Sequence, residues 1–153
     1  MINKLSPLPD SLVTRYKHWK SNSYINNLDK FTKLSTLGQS PKSMIISCCD
    51  SRVHPTSIFG ADEGEFFIHR NIANIVPKFS KDGGDSGTSA VIEYAINELK
   101  ISHLIILGHR DCGGIKYGYQ LKTNNSNKDY IFLNKWLSIL EPLFKNVSEN
   151  ISV

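Results

Sequence analysis

Short apolar runs and a helical repeat alternate along the middle of the chain, and this pattern predicts an α/β fold. The apolar runs cover residues 43–48, 65–69 and 103–107, and each is bounded by turn residues and about as long as one buried strand. Residues 88–100, between the second and third runs, carry apolar side chains at helical spacing. We therefore expect a mainly parallel β-sheet flanked by helices, with right-handed connections between its strands.

Both ends of the chain are predicted to be helical. An N-terminal helix is expected over about residues 10–37, although serines and asparagines interrupt its apolar pattern near 21–27. A polar loop over 122–129 precedes a second apolar stripe, which predicts a C-terminal helix over about 129–144. These helices flank a catalytic core of about residues 39–120. Because the sequence has no internal repeats and no change of composition, we expect all 153 residues to form a single domain.

Composition narrows the class of protein. No apolar run approaches the roughly 18 residues that cross a bilayer, and the first ten residues contain no apolar segment typical of a signal peptide. We therefore expect no membrane partner, and because the net charge of +4 is mild and spread along the chain, we expect no nucleic-acid partner either. Three cysteines are an odd number, which argues against a disulfide framework. We therefore expect a cytoplasmic protein whose thiols serve metal or redox chemistry.

The residues able to do chemistry follow the first and third predicted strands. Cys48, Asp50 and Arg52 come at the end of the first strand, and His109 and Cys112 come just after the third. In an open parallel sheet, ligands bind beyond the carboxyl ends of the strands. If these strands are neighbours, two thiols and one imidazole converge there, and such a set suits a zinc ion with its fourth position open.

Cys49 has a different expected role from its neighbour Cys48. A cysteine at a strand end most often acts as a small buried hydrophobic residue, and we assign Cys49 that role. A redox couple between Cys48 and Cys49 is disfavoured, because adjacent cysteines rarely close a disulfide without strain. The third cysteine, Cys112, is assigned with Cys48 to the predicted metal site.

The order and spacing of these motifs resemble the β-class carbonic anhydrases. Cys-x-Asp-Ser-Arg at 48–52 is followed by Gly-His-x-x-Cys-Gly-Gly at 108–114, and residues 64–74 also match that family's pattern. The resemblance covers about residues 39–117, half of the chain. It implies a lyase, carbonate dehydratase, that hydrates carbon dioxide reversibly to bicarbonate and a proton. It also implies one Zn²⁺ per chain, bound by Cys48, His109 and Cys112.

The resemblance implies catalytic roles for Asp50 and Arg52. Two thiolates offset the zinc charge and weaken its effect on a bound water, so the site needs a group that holds hydroxide. Asp50 can accept a hydrogen bond from that water, and Arg52 can hold Asp50 in a bidentate ion pair that keeps it ionised. Some family members carry a Trp of an inhibitory bicarbonate site where this chain has Ile45, so we expect an open zinc site.

Five residues are implied by similarity to bind the substrate: Gln39, Phe67, Ile72, Tyr94 and Gly113. Phe67, Ile72 and Tyr94 would line a small apolar pocket, whereas Gln39 and the Gly113 backbone amide would bind a bicarbonate oxygen. The alternative is that the three apolar residues are ordinary core residues. Arg70 is expected to organise a loop or a subunit interface. Three histidines could shuttle protons but are expected to be structural: His54, His69 and His103.

The length of the chain leaves two alternative functions open. Members of the family usually continue past residue 144 into an antiparallel strand and a terminal helix, which cover a sheet edge and help to build the dimer. We therefore expect these two elements to be missing here, and a homodimer or higher homo-oligomer if the chain folds. The first alternative is a zinc-binding but catalytically silent truncated homologue. The second is a hydrolase of a small carbon dioxide analogue such as carbon disulfide.

Overall fold

The computed structural model describes residues 6–82, 87–123, 125 and 128–144. The chain divides into two compact units, Met1–Gln39 and Ser40–Val153. The second unit holds the β-sheet, and we call it the sheet unit. The assignment of all 153 residues to a single domain stays a prediction.

The N-terminal unit is helical but its helix is interrupted. Helix α1 covers Asp10–Trp19, a π-helical turn covers Lys20–Tyr24, and helix α2 covers Leu28–Leu37. The prediction of one helix over 10–37 is therefore wrong in its middle. Polar side chains explain the break, since Asn22 Nδ2 donates to the His18 carbonyl (2.9 Å) and Asn27 Nδ2 to the Ser23 carbonyl (2.8 Å). Such bonds compete with the regular helical ladder.

The sheet unit is built on three parallel strands in the order β2-β1-β3. These strands are β1 (Ser43–Cys48), β2 (Phe66–Asn71) and β3 (His103–Leu107). The central strand β1 is buried along nearly its whole length, which explains its unbroken apolar run. The predicted α/β fold with a parallel sheet is confirmed.

Strand β2 differs from its prediction at both ends. It begins one residue later than expected and continues through Arg70 and Asn71. These polar residues extend the strand because Arg70 pairs with Ser47 and Asn71 pairs with Cys48 of β1. An apolar run could not reveal this extension, since backbone pairing decides it.

The helices of the sheet unit are short. They are α3 (Pro55–Phe59), α4 (Gly87–Asn97), α5 (Gly113–Lys122), α6 (Ile131–Leu137) and α7 (Glu141–Phe144), with 3₁₀ turns at Ile72–Asn74 and Ser138–Leu140. The helix predicted over 129–144 is therefore broken. Pro142 lies near the break, and its missing N–H cannot donate to a helical carbonyl. The predicted loop over 122–129 includes residues 124, 126 and 127, which lie outside the described residues.

Two hydrophobic clusters stabilise the sheet unit. One contains Met44, Ile46 and Ala95, with α4 packed on the sheet. The other contains both predicted thiol ligands: Cys48, Ala73, Ile75, Cys112, Leu137 and Leu140. Among the described residues, no helix is long and apolar enough to span a membrane.

Candidate metal centre

Two thiols and one imidazole meet at the carboxyl ends of β1 and β3. Cys48 and Cys112 are 4% and 7% exposed, and their Sγ atoms lie 3.8 Å apart. A nitrogen of His109 joins them, and the three candidate ligand atoms all lie within 4.8 Å of one another. The predicted convergence is confirmed, because β1 and β3 are adjacent parallel strands.

The His109 ring presents one nitrogen to this cluster. Its Nδ1 lies 2.9 Å from the Arg110 carbonyl oxygen, which can only accept, so Nδ1 carries the proton. Nε2 is buried, and in the part of the chain that the structure describes it has no hydrogen-bond partner. A buried nitrogen lone pair without a partner is costly, and a metal ion would satisfy it.

The spacing of the ligand atoms fits a tetrahedral metal ion. Zinc binds thiolate sulfur at about 2.3 Å, so two such sulfurs at a tetrahedral angle lie about 3.8 Å apart. The Cys48–Cys112 distance matches this value. Two sulfurs and one imidazole nitrogen are also donors that zinc prefers, and they leave one position for a small molecule. The residues present therefore fit zinc.

The environment of the two thiols differs. Burial raises the pKa of Cys48, but a hydrogen bond from the Asp50 amide and the proximity of the His109 imidazole together lower it below the ordinary value. Burial raises the pKa of Cys112, and the amides of Ile115 and Gly114 offset only part of that effect. Cys48 is therefore the thiol more ready to lose its proton, as metal binding requires.

Asp50 and Arg52 form the predicted bidentate ion pair beside the cluster. Arg52 donates from Nε to Asp50 Oδ1 (2.9 Å) and from Nη2 to Asp50 Oδ2 (2.7 Å), and its backbone amide also donates to Oδ1 (2.9 Å). These bonds hold the pKa of Asp50 well below its ordinary value. Asp50 Oδ2 lies 3.9 Å from His109 Nε2, so an ionised carboxylate borders the ligand set.

The first turn of α5 approaches the 3₁₀ turn Ile72–Asn74 very closely. A Cβ at Gly114 would lie 2.8 Å from Ile72 Cγ2 and 2.9 Å from Ala73 Cβ, so only glycine fits without a shift. Ala73 itself has a φ of 64°, in the left-handed region. This contact sets Cys112, the residue before α5, against the loop that follows β2.

The predicted substrate residues are distributed over the chain. Gly113 directly follows Cys112, and Ile72 contacts the next residue, Gly114, so both lie near the thiol cluster. The Ile72 side chain is 40% exposed. The rings of Phe67 and Tyr94 pack together with centroids 5.8 Å apart, and Phe67 packs against the other cluster, that of Met44 and Ile46. Gln39 belongs to the N-terminal unit. The substrate roles of all five residues stay predictions.

Two residues that the sequence did not single out shape the loop after β2. Asn71 donates from Nδ2 to the Ile75 carbonyl (2.9 Å) and accepts from the Ile75 amide (2.8 Å), which closes the turn. Trp136 Nε1 donates to the Ile72 carbonyl (2.9 Å) from α6. The polar end of an otherwise apolar strand was a signal for Asn71, whereas nothing local to Trp136 pointed to this contact.

The comparisons with known proteins agree with this geometry. The family model that matches residues 43–153 is described as carbonic anhydrase. Beta carbonic anhydrase 3 of Arabidopsis thaliana is 33% identical over 148 residues, which are 97% of this chain and 56% of that protein. The chain therefore spans about half the length of the curated relatives it matches.

Solved structures show the same relationship. The β-carbonic anhydrase CcaA superposes with a TM-score of 0.80 at 30% identity, over 89% of this chain and 59% of that one. A tetrameric β-carbonic anhydrase of Sordaria macrospora gives a TM-score of 0.73 at 34% identity, over 90% and 64%. The fold, the ordered motifs and the matched family model lead to one conclusion: the chain belongs to the β-class carbonic anhydrase family.

Proposed function

We propose that the chain catalyses zinc-dependent, reversible hydration of carbon dioxide to bicarbonate and a proton. One observation carries the proposal: two thiols and a buried imidazole Nε2 without a hydrogen-bond partner among the described residues converge at one point. Cys48, His109 and Cys112 would hold one Zn²⁺ per chain. A zinc ion held there would act as a Lewis acid and lower the pKa of a water molecule, the source of the nucleophile.

Asp50 orients that water in the proposed mechanism. The bidentate contact with Arg52 keeps the Asp50 carboxylate ionised and in place. Each carboxylate oxygen has a further lone pair, so Asp50 can still accept a hydrogen bond from the water. Asp50 Oδ2 borders the ligand set, 3.9 Å from His109 Nε2. A water molecule next to Oδ2 can therefore donate one hydrogen to this oxygen and direct a lone pair away from the carboxylate. Arg52 thereby restrains Asp50 from joining the ligand set as a fourth donor.

The substrate would lie next to the loop after β2. Carbon dioxide has no charge, so an apolar wall suits it, and Ile72 supplies exposed apolar surface beside α5. The Gly113 amide, at the N-terminal end of α5, would donate to a bicarbonate oxygen. We also propose substrate-binding roles for Gln39, Phe67 and Tyr94, on similarity alone.

A homo-oligomer in the cytoplasm is part of the same proposal. The Sordaria macrospora relatives are tetrameric, which supports a homodimer or higher assembly for this chain. The three cysteines are free thiols, and Cys48 and Cys112 are buried. The prediction that Cys49 is a buried hydrophobic residue is wrong, because β1 ends at Cys48 and Cys49 is exposed. Two unlinked thiols 3.8 Å apart are compatible with a reducing compartment.

Stopped-flow measurement of carbon dioxide hydration, with zinc content determined on the same sample, tests the proposal. We expect hydration that disappears when a chelator removes zinc and returns when zinc is restored. Cys112→Ser should lose both zinc and turnover, whereas Cys49→Ser should keep both. A parent chain that binds zinc but does not hydrate carbon dioxide would contradict the proposed function and support the silent homologue.

A further inference from the structure

Arg70 makes contacts that neither the metal cluster nor the Asp50–Arg52 pair accounts for. It lies near the end of β2, opposite Ser47 of β1, and is partly buried. Its guanidinium donates to three backbone carbonyls: from Nε to Cys48 O (3.0 Å), and from Nη2 to Asp50 O (2.7 Å) and Val53 O (2.6 Å). All three acceptors belong to the segment that leaves β1 toward α3.

We propose that Arg70 is a positioning residue, which holds the segment 48–53 in the conformation that presents Cys48 and Asp50 to the metal centre. This inference rests on the proposed zinc site, and it assigns a role to a side chain that contacts no proposed metal ligand atom. Hydrogen bonds from a charged donor are stronger than those between neutral groups, so three of them restrain a short loop effectively.

The contacts restrain Cys48 on both sides of its Cα. Arg70 Nε fixes the Cys48 carbonyl, and the next amide, that of Cys49, donates to the Asn71 carbonyl at 3.0 Å. With both flanking peptide groups held, the Cys48 side chain has little freedom to leave the cluster. The direction of its Sγ therefore depends on β2 as well as on its own strand.

The contacts also separate two tasks at Asp50. Arg52 fixes the carboxylate, whereas Arg70 fixes the backbone carbonyl of the same residue. The Asp50 carbonyl also accepts from the Val53 amide at 3.0 Å, which forms a turn over residues 50–53. Arg70 therefore adds its hydrogen bonds to a turn that the backbone already forms. Loss of Arg70 would leave the Asp50–Arg52 ion pair intact but free to move with its loop.

A lysine cannot replace this arrangement fully. The Arg guanidinium is a planar fork with five N–H donors, so its Nε and Nη2 can donate to three carbonyls at once. A Lys ammonium is a compact charge on a flexible stem and would reach only part of the set. Arg70→Lys should therefore keep part of the restraint, and Arg70→Ala should remove all of it.

Hydrogen–deuterium exchange on the metal-free 153-residue chain tests the proposal without depending on turnover. We expect amides of peptides covering 49–53 to exchange at least about tenfold faster in Arg70→Ala, less so in Arg70→Lys, while peptides covering β3 stay unchanged. Arg110→Ala is the matched control, since the Arg110 side chain is 96% exposed. Unchanged exchange over 49–53 in both Arg70 variants, or a uniform increase along the chain, would overturn the proposal.

Cobalt binding supplies a second readout of the ligand geometry. Co²⁺ in place of zinc reports its thiolate ligands by visible absorption. We expect Arg70→Ala and Arg70→Lys to shift the cobalt spectrum and to weaken cobalt affinity by about 10- to 100-fold. Losses of this size are typical when a residue that supports the metal ligands is replaced. Arg70→Lys keeps this test available if Arg70→Ala does not fold. A parent that binds cobalt and zinc but does not hydrate carbon dioxide with zinc bound would contradict the proposed function alone. Unaltered cobalt spectra and affinities in the variants would contradict the role of Arg70 alone.

Discussion

The Arg52 guanidinium holds both carboxylate oxygens of Asp50, at 2.9 Å from Nε to Oδ1 and 2.7 Å from Nη2 to Oδ2. The same Nη2 donates to the Asp111 carbonyl at 3.2 Å, next to the predicted ligand Cys112. Arg52 thus connects the loop after β1 with the loop after β3. Its loss would release the carboxylate and this bridge together.

Disruption of this ion pair should abolish most turnover while zinc stays bound. We expect Asp50→Asn or Arg52→Ala to reduce kcat/KM at least about a hundredfold, because the nucleophilic water loses its oriented acceptor. Stopped-flow hydration and zinc analysis on the same samples measure both quantities. Arg110→Ala removes a neighbouring exposed guanidinium and should change neither. Full activity in Asp50→Asn or Arg52→Ala would refute the proposed mechanism.

Replacement of a ligand thiol should remove the metal itself. Cys48→Ser and Cys112→Ser should each lower zinc affinity by more than about a hundredfold, since loss of a ligand should exceed the effect of losing an outer partner. Cys49→Ser is the matched control, because Cys49 is exposed and adjacent to Cys48. Competition with a chelator of known affinity measures the difference. Equal zinc affinity in all three variants would exclude this cluster as the metal site.

The close approach of α5 to the 3₁₀ turn predicts a strong effect at Gly114. Gly114→Ala places a methyl group within 2.9 Å of Ile72 and Ala73, and should lower the free energy of unfolding by about 1 to 3 kcal/mol. Gly113→Ala is the control for stability, since nothing lies within 4 Å of its added Cβ. Urea denaturation of both variants distinguishes them. A Gly114→Ala protein as stable as Gly113→Ala would contradict the contact.

Burial of His69 predicts that stability falls in mild acid. Burial lowers its pKa below the ordinary value of 6.5, and Nε2 lies 2.9 Å from the Thr88 hydroxyl. As the pH falls through about 6.5, the unfolded chain gains a proton that the folded chain does not, so the free energy of unfolding decreases until the folded pKa is reached.

A non-titrating variant isolates this effect. His69→Gln should show a weaker decrease in the free energy of unfolding than the parent between about pH 6.5 and the lower folded pKa. His103→Gln, at an exposed position of β3, should follow the parent. Urea denaturation at a series of pH values provides the measurement. Parallel curves for the parent and His69→Gln would show that His69 does not contribute.

Local pattern was sufficient for much of the fold and for the metal donors. The strands β1 and β3 have their predicted bounds, and β1 is buried as an apolar run in a parallel sheet predicts. The predicted burial of β3 is wrong, because β3 lies at the edge of the described sheet and most of its residues are exposed. The serines and asparagines near 21–27 were the sequence signal for the break in the helix predicted over 10–37. The place of the break was not predictable, since side chains such as Asn22 bind carbonyls only in a particular geometry. The end of β2 likewise depends on pairing with β1 rather than on its own residues.

The sequence by itself determined which atoms can bind a metal and which strands carry them, because ligand chemistry and apolar runs are properties of short segments. The tertiary structure alone decided that Arg70 reaches three carbonyls of the loop after β1, and that Gly114 meets Ile72 and Ala73. These contacts join residues far apart in the chain, and their geometry follows from strand order and helix packing. They determine how firmly the predicted ligands are held.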